Sequence, residues 1–176
     1  MLYNGKLQLH LYHGSHHKIT DLIEPHISFD GKPLVYATHD LAYALVRAGK
    51  FNPDKFTIKE DYQGDNKPFR LVELYPGAFE DTFNCSGYIY LVDFEHFVTN
   101  GHNEFVSPTP VPIKKVITIE NVWECITSIR NYELIYYEDS EPYWQTVRGG
   151  KAGYLKRREE RAAALKEKQT NETKNN

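Results

Sequence analysis

Two short apolar runs of the sequence each end in residues that suit a ligand site. From Leu7 to Leu11 every second residue is leucine, the period-two pattern of a half-buried strand, which we expect to end within Tyr12-His13-Gly14-Ser15. A second apolar run, Leu34 to Tyr36, stops before Thr38-His39-Asp40, which is typical of a helix start. An imidazole, a glycine backbone and an aromatic ring at two strand ends predict a small-molecule cleft, because strand ends are rigid and open.

The order of these motifs resembles a known enzyme superfamily. Tyr12-His13-Gly14-Ser15 is followed by Gly31-Lys32-Pro33-Leu34-Val35-Tyr36-Ala37-Thr38 and an alanine-rich helix. This arrangement resembles the His-Tyr-Glu branch of the ADP-ribosyltransferase superfamily, to which diphtheria toxin belongs, over most of residues 7 to 120. In that branch the His and the Tyr lie on successive strands, and a third strand supplies a Glu. The resemblance implies an α+β fold with two small β-sheets around an NAD cleft and few helices.

The resemblance also implies a role for each motif residue. NAD would be the substrate, and its nicotinamide–ribose bond would be cleaved. His13 would hydrogen-bond the adenosine ribose, and the backbone of Gly14 would contact the nicotinamide carboxamide. Ser15 follows in the same motif and is also expected to bind the cofactor. Tyr36 would stack on the nicotinamide ring. Glu104 is the implied catalytic residue, because a carboxylate beside the ribose stabilises the positive charge of an oxocarbenium-like transition state.

Two glutamates compete for this catalytic role. Glu104 lies in Gly101-His102-Asn103-Glu104-Phe105-Val106-Ser107, after a turn and before an apolar strand. Glu133 lies in a similar strand of aromatic residues, 131–137. We expect Glu104 to be catalytic, because it follows the apolar strand Gly87 to Val92 in the family's order, whereas Glu133 comes after an extra helix.

The segment from Leu41 to Ala48 predicts a helix that stops at Gly49. Its expected core-facing residues are Leu41, Ala44, Leu45 and Ala48. In the resembled family this helix carries a small hydroxyl residue and a second aromatic ring that closes over the nicotinamide. Here Ala44 and Arg47 stand at those places, and Tyr43 is displaced by several positions. The nicotinamide sandwich that the resemblance implies is therefore incomplete.

The segments on either side of these strands give further expectations. Residues 50 to 68 are rich in Lys, Asp, Asn, Gly and Pro and predict a long surface loop. Asn121 and Glu124 form a capping box that predicts the start of a helix, on which Trp123 is expected to be a core residue.

The sequence leaves the acceptor of ADP-ribose open. The residue two before the catalytic Glu helps to select the acceptor in the resembled family, commonly as Gln or Glu, and here it is His102. Protein, nucleic acid, a small molecule and water all stay possible acceptors. One alternative function is a catalytically silent module that binds an NAD-like ligand or a protein. Another is an RNA 2′-phosphotransferase-like enzyme, against which Tyr36 and Glu104 argue, because that branch uses histidine and arginine in their place.

Length and charge limit the domain organisation and the partners. A chain of 176 residues with 40% hydrophobic content can build one core, which we place in residues 1–140. Residues 141–176 form a charged tail that we expect to lie outside this domain, partly helical and partly disordered from about Gln169. A formal net charge of -3 gives no global attraction to nucleic acid.

The remaining motifs bear on metal binding and location. His16 and His17 lie close to His13, but no carboxylate or cysteine spacing accompanies them, so we expect no metal site. Cys85 and Cys125 are too few for a disulfide scaffold and indicate reduced thiols. Because neither an export signal nor a sufficiently long apolar run is visible, we expect a cytoplasmic protein that does not span a membrane.

Overall fold

A computed structural model describes residues 2–3, 6–7, 10–27, 31–59, 69–101, 104–128 and 132–174 of the chain. These residues form a mixed α+β fold with several sheets and few helices, as the sequence predicted for the fold class. The strands are β1 (Leu2–Tyr3), β2 (Lys6–Leu7), β3 (His10–Ser15), β4 (Leu22–Ile23), β5 (His26–Ile27), β6 (Pro33–Thr38), β7 (Phe56–Lys59), β8 (Phe69–Glu73), β9 (Gly87–Asp93), β10 (Val98–Gly101), β11 (Glu104–Ser107), β12 (Val111–Pro112), β13 (Lys115–Ile119) and β14 (Tyr132–Ile135). The α-helices are α1 (Leu41–Ala48), α2 (Ala78–Phe83), α3 (Val122–Ser128), α4 (Glu141–Thr146) and α5 (Gly150–Lys174), with short 3-10 turns at Phe94–His96 and Tyr137–Asp139.

The resemblance implied two small sheets, whereas the described residues form several sheets, and the largest of them has seven strands. Its order is β10-β11-β6-β3-β9-β13, and β5 adds to β6. The ladder between β3 and β9 runs from His10 to Ser15, so β3 continues two residues beyond His13. Strands β3 and β6 pair at a single position, Tyr12 opposite Thr38. The sheet is therefore weakly joined at the two strands that carry the sequence motifs.

Helix α1 packs against β3 and begins at the predicted place. The Asp40 carboxylate caps it by accepting hydrogen bonds from the backbone N–H groups of Ala42, at 2.8 Å, and Tyr43, at 3.3 Å. Ala44, Leu45 and Ala48 are buried as predicted. Leu41 was expected in the core, but 44% of it is exposed, and its neighbour Ala42 is buried instead.

A second, three-stranded sheet has the order β14-β8-β7, with β14 parallel to β8 at one edge. Strand β7 lies within the segment that was predicted as a loop, and it forms because the Phe56 side chain is fully buried in the core. Trp123 of α3, which was expected in the core, is partly buried and packs against it, stacking on Phe83 with ring centroids 6.2 Å apart. The Glu124 backbone N–H donates to Asn121 Oδ1 at 3.2 Å, which is one half of the predicted capping box.

The sequence had predicted that residues 141–176 lie outside the folded domain. The first part of this segment packs against that domain instead. Tyr143 and Trp144 of α4 are buried against Val72 and Leu74, because their rings cover the open face of β8. Lys151 of α5 donates to the Leu74 carbonyl. Helix α5 continues to Lys174, past the point where disorder was expected. Among the described helices, none is long and apolar enough to cross a membrane.

Candidate functional site

A cleft of about 690 Å³ opens between β3, β6, β11 and α1, and α5 reaches its edge. This volume lies within the range of about 300–1,000 Å³ that is typical of small-molecule sites. Its described lining residues are Tyr12, His13, Gly14, Tyr36, Ala37, Thr38, Tyr43, Ala44, Arg47, Phe51, Pro53, Glu104 and Arg161. Four of the five residues that the sequence nominated, His13, Gly14, Tyr36 and Glu104, thus line one cleft.

His13 spans the gap between β3 and β6 with its side chain. Its Nδ1 lies 2.7 Å from the Tyr36 carbonyl oxygen. Since a carbonyl can only accept, Nδ1 carries the proton in the neutral ring and Nε2 is left as the hydrogen-bond acceptor. Burial lowers the pKa of His13 below its usual 6.5, against the opposing effect of the Tyr36 hydrogen bond, and the charge of His26 lowers it further. The imidazole is therefore a neutral acceptor at neutral pH.

Gly14 is required by the packing of α1 on β3. A β-carbon at Gly14 would lie 1.9 Å from the Ala44 carbonyl oxygen and 3.0 Å from the Ala48 nitrogen. The sequence had attributed this glycine to the approach of a ligand, whereas the position of its missing side chain is filled by the helix backbone. Gly87 of β9 meets the same helix, since its β-carbon would lie 2.3 Å from the Ala48 carbonyl oxygen. The helix that forms one wall of the cleft is thus seated on two glycines.

Glu104 begins β11 and lies opposite Thr38, two residues beyond Tyr36 on the neighbouring strand. Its side chain is half-buried, and its Oε2 accepts a hydrogen bond from Asn100 Nδ2 at 2.9 Å. This bond orients the carboxylate without neutralising it. His102, the residue expected to select the acceptor, lies outside the described residues.

Ser15 and Glu133 take other roles. The Ser15 hydroxyl accepts a hydrogen bond from the His17 backbone N–H at 3.1 Å and closes the turn after β3, and Ser15 does not line the cleft. The Glu133 carboxylate accepts from Arg70 Nε at 2.8 Å and lines a separate cavity of about 310 Å³. Of the two rival glutamates, only Glu104 lies in the cleft with His13 and Tyr36.

Several lining residues of the cleft were not nominated from the sequence as site residues, among them Tyr43, Arg47, Phe51 and Arg161. Arg47 Nη2 donates to the Tyr43 hydroxyl at 2.8 Å, and the guanidinium carbon lies 4.1 Å from the centroid of the Phe51 ring. The i, i+4 spacing of Tyr43 and Arg47 on α1 could have suggested their contact, whereas Phe51 lies beyond the end of the helix. Arg161 gave no such signal, because its position depends on how α5 packs.

One group of three possible metal ligands occurs among the described residues, and it lies outside the cleft. It consists of Asp93, Glu95 and His96. The Asp93 carboxylate already pairs with Lys114 at 2.7 Å and with His10 at 3.2 Å. The Lys114 hydrogen bond is the main cause that lowers the pKa of Asp93. These pairs account for the cluster as an ionic network on the surface.

The cleft therefore offers a neutral imidazole acceptor, an aromatic ring, a carboxylate and two guanidinium groups. Comparisons of the chain with protein-family models, with curated proteins and with solved structures give no match. Any functional conclusion depends on the chemistry of the cleft itself.

Proposed function

We propose that this chain binds NAD in the cleft, cleaves the nicotinamide–ribose bond and transfers ADP-ribose, on a fold of the ADP-ribosyltransferase type. One observation carries the proposal. His13, Tyr36 and Glu104 come from three separate segments, in the order that the resemblance implies, and they line a single cleft of nucleotide size. Sequence order does not require three such residues to meet, so their convergence supports a shared role.

Each residue has a role that fits its geometry. The unprotonated Nε2 of His13 accepts a hydrogen bond from a ribose hydroxyl. The Tyr36 ring stacks on the nicotinamide, and the backbone of Gly14 lines the cleft beside it. Because the Tyr36 carbonyl holds the His13 ring, the contact to the ribose and the contact to the nicotinamide are fixed relative to each other.

Glu104 supplies the electrostatic part of the reaction. As the bond between the ribose C1′ and the nicotinamide nitrogen breaks, its electron pair leaves with nicotinamide, and positive charge develops on the ribose. The Glu104 carboxylate stabilises this charge. The acceptor then forms a bond to C1′ and loses a proton. With water as acceptor the products are ADP-ribose, nicotinamide and a proton; protein and nucleic acid are the other acceptor classes proposed.

Release of nicotinamide from NAD tests the proposal. Glu104→Gln keeps the shape of the side chain but removes its charge, and it should lower the rate about 10² to 10³-fold. Glu133→Gln is the matched control, since Glu133 is also a half-exposed strand residue but pairs with Arg70 away from the cleft. It should leave the rate within about twofold of wild type. Loss of activity in the Glu133 variant with retention in the Glu104 variant would refute the assignment.

A second candidate is NAD binding without turnover. It is favoured by Arg47, which stands where the resemblance implies a second aromatic ring, because the ring stacking that would position the nicotinamide for cleavage is then incomplete. Under this alternative, wild-type protein binds NAD in calorimetry but releases no nicotinamide during prolonged incubation. Stoichiometric release of nicotinamide and ADP-ribose would exclude it.

A further inference from the structure

We propose that Arg47 of α1 and Arg161 of α5 together bind the phosphates of the nucleotide, so that the C-terminal helix is part of the ligand site. The inference rests on the proposed function for the identity of the nucleotide, NAD. The chemical class of the ligand, a nucleoside diphosphate, is inferred from the residues and volume of the cleft alone.

Arg47 is held in place before any ligand arrives. Its Nη2 donates to the Tyr43 hydroxyl, and its guanidinium lies 4.1 Å from the Phe51 ring centroid and 5.3 Å from that of Tyr43. Such stacking fixes the plane of the guanidinium and limits the conformational freedom that is lost on binding. An arginine has five N–H donors, and the Tyr43 hydroxyl takes one of them. A planar fork in this position suits phosphate oxygens.

Arg161 reaches the same cleft through the anchoring of α5. Arg158 lies three residues earlier and hence on the same face of the helix. It forms an ion pair with Asp54, in the loop that also carries the cleft residues Phe51 and Pro53. The ion pair therefore holds α5 beside this loop, and Arg161 follows one turn later at the edge of the cleft.

The charges in the cleft favour an anion. Among the described lining residues the charged side chains are Arg47, Arg161 and Glu104. This local excess of positive charge contrasts with the formal net charge of -3 for the whole chain. A nucleoside diphosphate fits both the charge and the volume, since its phosphates would face the arginines and leave the half with Tyr36 and Glu104 for the reacting group.

The test compares the binding of ADP with that of adenosine, which lacks phosphates, by calorimetry at low ionic strength. Arg161→Gln should weaken ADP binding about tenfold and leave adenosine binding unchanged, since charge-assisted hydrogen bonds to phosphate are lost. Arg47→Gln should show the same selectivity. Lys166→Gln is the matched control: Lys166 is an exposed cation on the same helix that does not line the cleft, so ADP affinity should change less than twofold.

Several results would overturn the inference. These are unchanged ADP affinity in Arg161→Gln, equal losses in the Arg161 and Lys166 variants, or wild-type protein that binds ADP no more tightly than adenosine. Because Arg161 is exposed, its replacement should not affect folding, which circular dichroism checks. If wild-type protein fails to cleave NAD but arginine-dependent ADP binding persists, only the proposed function fails. If NAD is cleaved and the arginine variants bind ADP normally, only this inference fails.

Discussion

Replacing Gly14 by alanine tests the packing that places α1 at the cleft. The new β-carbon would lie 1.9 Å from the Ala44 carbonyl oxygen, a separation that real β-carbons do not show below 3.0 Å. Helix and strand must therefore separate by about 1.1 Å at this point. The obstacle is helix backbone, so no side-chain rotation can relieve the collision. The substitution acts on the contact between β3 and α1 as a whole.

The size of the effect follows from two opposing contributions. Overpacking typically destabilises by about 1–3 kcal/mol, and an obstacle made of backbone belongs at the upper end of that range. Loss of glycine flexibility in the unfolded chain returns about 0.4–1 kcal/mol. We expect Gly14→Ala to lower the free energy of unfolding by about 2 kcal/mol, which for a chain of this size lowers Tm by about 4–8 °C.

Urea denaturation and thermal melting followed by circular dichroism measure this change. Gly87→Ala should behave similarly, because its β-carbon would lie 2.3 Å from the Ala48 carbonyl oxygen of the same helix. Gly77→Ala is the control without collision: its backbone has φ of 75° but nothing lies within 4 Å, so only about 1 kcal/mol of left-handed strain is expected. If the Tm of Gly14→Ala lay within about 1 °C of the wild-type Tm, the close approach of α1 would not explain this glycine.

Three further predictions concern other buried groups. Glu73 is 1% exposed, and its carboxylate accepts hydrogen bonds from the backbone N–H groups of Phe79, at 2.7 Å, and Tyr137, at 3.0 Å. Glu73→Gln should therefore lower the free energy of unfolding by about 2–4 kcal/mol in urea titrations. Glu80 is exposed, so the control Glu80→Gln should change it by less than about 0.5 kcal/mol. Tyr132→Phe removes the hydroxyl that donates to the Ala42 carbonyl and should lower the unfolding free energy by about 1–2 kcal/mol, measured in the same way; an unchanged midpoint would contradict that role. Burial lowers the pKa of His13, so its contribution to stability is present above the usual histidine pKa of 6.5 and is lost as the pH falls below that value. Between about pH 7.5 and about pH 5.5, roughly one unit either side of that pKa, the urea midpoint of the wild-type protein should therefore drop more than that of His13→Gln. Equal drops in the two proteins would contradict this prediction.

Local pattern was sufficient for many elements of the fold. The helix after Asp40 follows from its helix-forming residues, its N-cap and Gly49, and these act within one or two turns of chain. The strand from Gly87 follows from its continuous apolar and aromatic residues. The motif around His13 and the position of Tyr36 were predicted in the same way, since each lies on a strand that its own neighbours define.

Other features depend on contacts between distant segments, which a local pattern cannot specify. Strand β7 forms inside a polar segment because Phe56 reaches a core contributed by other elements. Trp144 anchors a tail whose charged composition had indicated a solvated segment.

The cleft shows the same division. Four of its lining residues, His13, Gly14, Tyr36 and Glu104, were nominated from the sequence, and Glu104 was preferred to Glu133 from chain order alone. That Glu104 lies opposite Thr38, that His13 bridges to the Tyr36 carbonyl, and that Arg161 reaches the cleft are decided only by tertiary structure. The physical reason is that sheet register and helix docking minimise the free energy of the whole chain, so residues more than a hundred positions apart are brought together by packing and not by their local preferences.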